Sequence, residues 1–125
     1  MKPICIAAIA VAILSLLNTA HALPAAPRAC PGVAAIQASH LWLERDRSHY
    51  TAFQDDQAYD THDPYLWNFF IWDIDAKSID EADPKANAAM AEMSLNEGPF
   101  KGGLTWVCTY NIGNGYTAKA YYPPL

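Results

Sequence analysis

His62 lies among four aspartates, Asp55, Asp56, Asp60 and Asp63. Oxygen-rich acidic loops suit Ca²⁺. An EF-hand loop, however, needs ligands at alternate positions, a glycine at the sixth and a glutamate at the twelfth. The spacing here supplies none of that, so the segment reads as a solvated acidic loop. Asp73-Ile74-Asp75 is a D-x-D at the end of an apolar run, a common arrangement that by itself assigns no chemistry. Ser39, Ser48, Ser78 and Ser94 all lie outside a G-x-S-x-G elbow. His40, His49 and His62 are each capable of general-base work, yet no motif marks a nucleophile beside any of them. A glycosidase needs two carboxylates flanking a cleft, and 13 acidic residues single out no pair. There is no G-x-G-x-x-G, and Gly102-Gly103 reads as a bend. The expectation is a non-enzymatic protein, with no catalytic residue and no metal-ligand set.

Cysteine usage and the N-terminus say where such a protein works. Lys2, the apolar run Ile4 to Leu17 and the small-residue pattern Ala20-His21-Ala22 have the order of a secretory signal peptide. The run is shorter than the roughly 20 residues a membrane span requires. The expected divisions are a signal peptide over residues 1–22, an unstructured leader over 23–29 and one domain over 30–125. Cys5 leaves with the signal. Cys30 and Cys108 remain, and two cysteines in an exported chain read as one disulfide. No C-x-x-C is present, which argues against a thiol oxidoreductase. The expected localisation is periplasmic or secreted, with no stable membrane anchor after cleavage. Once Lys2 is removed, 7 basic residues face 13 acidic ones. That balance, without a Lys/Arg cluster, disfavours nucleic acid and anionic lipid as partners.

The elements that must position any site follow from periodicity. Pro31-Gly32 opens a short helix over Val33 to Ser39. Leu41 to Gln54 forms one bent strand or two short ones, and Asp55 to Pro64 is a loop. Tyr65 to Ile74 is a strand of aromatic and β-branched residues. Its two faces carry Tyr65, Trp67, Phe69 and Ile71, and Leu66, Phe70, Trp72 and Ile74. Ala82, Ala86, Ala89, Met90 and Met93 form a stripe of period 3.6. Ser78-Ile79-Asp80-Glu81 fits a capping box, but Pro84 is expected to break a helix begun there. A turn followed by a helix from Pro84 to about Leu95, ended by Gly98-Pro99, results. Leu104 to Tyr110 and Tyr116 to Tyr122 form a hairpin. A turn at Asn114-Gly115 would pair Tyr110 with Lys119 and split the apolar sets between faces. A five-residue loop pairs Tyr110 with Tyr116 and Cys108 with Ala118, and keeps both sets on one face.

The fold class that results is α+β: a small antiparallel sheet of about four strands with one main helix across a face. A short N-terminal helix is tied by disulfide to the C-terminal hairpin. Two-sided apolarity at Tyr65 to Ile74 implies either cover on both faces or an exposed aromatic patch, and Tyr121 and Tyr122 on opposite hairpin faces suggest that some rings are open to solvent. An aromatic sheet face is a reasonable binding surface. The expected function is therefore a small exported binding or interaction protein, whose partner is a protein or a small molecule.

Cys30-Pro31 before a short helix, Tyr59-Asp60-Thr61 leading to Trp67-Asn68-Phe69, the Ala-rich helix and Trp106-Val107-Cys108-Thr109-Tyr110 together resemble a family. It is a family of small exported proteins of unknown function from Gram-negative bacteria of the Legionella type. The resemblance covers most of residues 30–125. Some members are labelled haem-binding, which implies haem as a cofactor and an alternative function in haem or iron handling. Ligation would use an exposed His or Tyr, and His49, His62 and Tyr116 are the candidates. Without C-x-x-C-H, covalent haem attachment is excluded. A small secreted hydrolase, or an inhibitor of one, is a third reading.

Overall fold

The computed structural model describes residues 24–123. The signal peptide expected over residues 1–22 lies outside them. The described chain forms α1 (Val33–Ala38), β1 (Trp42–Asp46), β2 (His49–Gln57), β3 (Trp67–Asp75), α2 (Ile79–Ala91), β4 (Ser94–Gly102), β5 (Thr105–Asn111) and β6 (Thr117–Tyr122). The six strands make one antiparallel sheet in the order β1-β2-β3-β6-β5-β4. The α+β class holds, with one main helix, but the sheet is larger than the expected four strands.

Two strands account for the difference. The stretch from Leu41 to Gln54 resolves into β1 and β2, which turn at Arg47-Ser48. β4 occupies residues that read as helix end and breaker. Its sequence has little alternation and contains Gly98 and Pro99, which are tolerated because β4 is an edge strand. β2 also runs further than expected, through Asp55 to Gln57. Its register against β3 shifts by one there. The Asn68 side chain accepts a hydrogen bond from the displaced Asp56 amide at 2.8 Å, so the bulge keeps its polar groups paired.

α2 is continuous across Pro84, contrary to the expected break. Ser78 caps it, its hydroxyl accepting from the Glu81 amide at 3.3 Å. Glu81 in turn accepts from the Lys77 amide and pairs with Lys85. Those two partners, the amide first, hold its carboxyl below the usual range. Pro84 lies in the second turn, where it removes one ladder bond. Starting the helix at Ile79 buries Ala82 on the same stripe as Ala86, Ala89 and Met90. The helix ends at Ala91 rather than Leu95, and Leu95 pairs with Tyr110 in the sheet.

The β5–β6 pairing keeps the expected face but slips by two residues. Tyr110 lies opposite Ala118 and Cys108 opposite Ala120, because Gly113 to Gly115 form a 3₁₀ turn inside a longer connection. A slip of two preserves the side-chain alternation. Tyr110, Cys108, Ala118, Ala120 and Tyr122 therefore all point into the core.

That core lies between the inner sheet face and the two helices, with Trp67, Phe69, Ile71, Ile74 and Ile36 fully buried. Gln54 is the polar anchor of α1. Its amide nitrogen donates to the Ile36 and Ser39 carbonyls, both at 3.0 Å, and its oxygen accepts from the Tyr59 hydroxyl at 2.6 Å. The Tyr110 hydroxyl donates to the Pro31 carbonyl at 2.6 Å, and Asp60 accepts from the Gly32 amide at 2.8 Å. Residues 24–29 form no helix or strand, yet Pro27 is buried and the Pro24 carbonyl accepts from the Trp106 indole at 2.9 Å. The disulfide joins Cys30 to Cys108 with Cα atoms 5.8 Å apart.

Two phenols, buried Tyr110 and half-buried Tyr59, set an alkaline limit. Burial first, then the neighbouring Tyr110 and Asp55, push the Tyr59 phenol up. Burial and Asp60 push up that of Tyr110. The unfolded chain releases these protons near pH 10 while the folded chain keeps them. The unfolded state then binds fewer protons, so stability falls as pH rises. Below pH 10 the contribution is complete. Above it, a loss of about 1 kcal/mol per phenol per pH unit is expected. Urea midpoints at pH 8 and pH 11 read this out. A Tyr59→Phe/Tyr110→Phe protein that declines as steeply as wild type would show that these phenols are not the cause.

Candidate functional site

One face of the sheet is covered by α1, α2 and the Cys30-Pro31 segment. The other face carries no described element. Directly opposed residues in a sheet share a face, so the register specifies what lies there. Trp42 faces Phe53, Phe53 faces Phe70, and Phe70 faces Lys119. Tyr121 faces Val107, and Val107 faces Phe100. Trp72 faces Thr117. Six aromatic side chains thus belong to the open face, contributed by five strands.

Three of them form a packed unit. The Phe70 and Trp72 rings stack at 5.4 Å and 15°. Tyr121 stands edge-on to both, at 6.0 Å from Phe70 and 6.1 Å from Trp72. All three are half-buried. Trp42, further along the face, is 60% exposed and packs edge-on against His40 at 4.6 Å.

A bulge in β3 separates the two apolar sets of this strand. Tyr50 faces Ile74 but Ala52 faces Ile71, so Trp72 and Asp73 together oppose Thr51. Asp73 has φ of 61°. Strict alternation places Ile74 beside Phe70 and Trp72, as the sequence implied. The extra residue instead turns Ile74 inward, where it is fully buried, and Asp73 outward.

Asp73 lines two hollows. One, of about 260 Å³, is bounded by Trp72, Thr117, Lys119 and Tyr121. The other, of about 440 Å³, is bounded by Asp46, Arg47, Ser48 and His49. Two of the residues singled out from sequence, His49 and Tyr121, therefore line separate hollows that share Asp73. His62 and Tyr122 line a different hollow, of about 310 Å³, with Arg28 and Tyr65. Tyr122 is itself buried, its ring 4.9 Å from that of Trp67. Tyr116 is half-buried against the core and lines none of these three hollows. The sequence pointed to rings on this face but gave no sign of Asp73 as its polar centre. The only signal was a carboxylate where alternation demands a core residue.

Among the described residues, no group of three or more His, Cys, Asp or Glu is placed to hold a metal ion. Among them, too, no helix is long and apolar enough to cross a membrane. Comparison of the chain with protein-family models, curated proteins and solved structures returned no match.

Proposed function

We propose that this protein is an exported, non-enzymatic binding module that presents the open face of its sheet to a ligand. The observation that carries this reading is the Phe70–Trp72–Tyr121 unit. It is a preformed aromatic platform on a face that no described element covers. Rigid aromatic surface with polar groups at its margin is the usual composition of a binding site. Export is supported by the order of residues 1–22 and by the Cys30–Cys108 disulfide, a bond that persists in oxidising compartments.

The test is a titration of the purified, disulfide-bonded chain, followed by tryptophan fluorescence. The panel contains neutral oligosaccharides, short peptides, lipid vesicles and hemin. At least one class is expected to give a saturable response that Trp72→Ala abolishes and His62→Ala leaves intact. Silence across all four classes counts against the reading, as does a response indifferent to Trp72→Ala.

A further inference from the structure

We propose that the two hollows flanking Asp73 form a seat for a neutral oligosaccharide, with one sugar ring against Trp72 and Tyr121 and the next over the His49 side. The inference rests on the binding-face reading and names its ligand class. A sugar ring has an apolar C–H face and a rim of hydroxyls. The smaller hollow offers the matching halves. Trp72 and Tyr121 supply aromatic surface; Asp73, Thr117 and Lys119 supply the polar rim. Asp73 only accepts hydrogen bonds, the Lys119 ammonium only donates, and the Thr117 hydroxyl does both. A hydroxyl can pair with any of the three.

The charges disfavour ligands of a single sign. An anionic ligand at Lys119 meets Asp73, and a cationic one at Asp73 meets Lys119, while in the adjoining hollow Asp46 and Arg47 place both signs together. A neutral, hydroxyl-rich ligand suffers neither repulsion. The aromatic half is fixed in advance: Phe70 stacks beside Trp72 and Tyr121 stands edge-on to both. Little side-chain ordering then remains to oppose binding.

The bulge is the second observation. Without it Asp73 would occupy the inner-face position after Ile71 and bury a carboxylate. With it, Asp73 sits at positive φ, a conformation that is uncommon for residues other than glycine, and projects between the hollows. Bulges are devices that re-aim side chains beside functional sites. Because one carboxylate serves both hollows, a ligand spanning them gains over a single sugar ring.

The experiment uses the full disulfide-bonded chain and three neutral tetrasaccharides, built from glucose with β linkages, glucose with α linkages, and N-acetylglucosamine. A tetrapeptide and phosphatidylcholine vesicles are run beside them. Calorimetry and tryptophan fluorescence report binding, and light scattering reports mass. One or more tetrasaccharides are expected to bind, more tightly than the matching monosaccharide. Trp72→Ala and Asp73→Asn should each weaken that binding tenfold or more, and His62→Ala should not change it. Asn tolerates the left-handed backbone, so Asp73→Asn tests the carboxylate even if Trp72→Ala loosens the sheet. Three results overturn the sugar assignment: no tetrasaccharide bound, equal binding by both variants, or a dimer in wild type that Trp72→Ala dissociates. Peptide or vesicle binding that depends on Trp72, with no sugar bound, sinks the ligand class but leaves the binding face standing. Silence of every probe, with hemin also silent, sinks both.

Discussion

Gly98→Ala is expected to destabilise the domain by about 3 kcal/mol, the sum of overpacking and backbone strain. Gly98 has φ of +127°, a region that side chains other than hydrogen rarely enter. An added Cβ would lie 2.7 Å from the Val107 carbonyl oxygen, 2.9 Å from the Cys108 Cα and 3.0 Å from the Cys30 sulfur. Two of those neighbours are backbone of the adjacent strand and the third is held by the disulfide. None of them is the free end of a flexible side chain. β4 would have to leave β5 or the disulfide would have to shift. Urea unfolding of the oxidised protein checks this. A change under about 0.5 kcal/mol, the range of a neutral surface substitution, would show that β4 yields without cost.

The second large effect concerns the disulfide itself. Cys30→Ala/Cys108→Ala should cost about 4 kcal/mol, from loop entropy over the 78-residue separation together with the space left at fully buried Cys108. The loss should not be uniform. β3 is paired on both edges. α1 depends on the disulfide and on a few polar ties: Gln54 to Ile36 and Ser39, Tyr110 to Pro31, and Asp60 to Gly32. Hydrogen exchange in the variant should therefore rise first in residues 31–39 and only later in β3. Equal acceleration in both would mean that the disulfide holds the whole core together. An unchanged midpoint would mean that the polar ties suffice.

The sequence carried the inner face well. The period-3.6 stripe of α2 and the alternations of β5 and β6 point mostly to residues that are buried, since burial dictates both patterns, although Leu104, at the head of the hairpin, is 86% exposed. Three features were hidden because long-range pairing decides them. β4 has no alternation of its own and exists because β5 offers an unpaired edge. The continuity of α2 through Pro84 depends on Ala82 finding the core, which a local rule about proline does not see. The inward turn of Ile74 depends on one extra residue opposite Thr51, and β-bulges leave little mark on a single chain. That last feature is the one that matters for the site. Phe70, Trp72 and Tyr121 could be read as open rings, but Asp73 among them could not.

The strand order also constrains when the sheet can close. The chain makes one three-stranded meander before α2 and another after it, and the last strand of each meets the other at the centre through β3 and β6. The innermost seam is thus built from the strand nearest the C-terminus of the described chain. Cys108 and Tyr110, which secure the N-terminal segment, also come late. Until β5 and β6 are present, β3 is paired on one edge only and Cys30 has no disulfide partner. The first meander can pair by itself, but the core closes only when nearly all of the described chain is present.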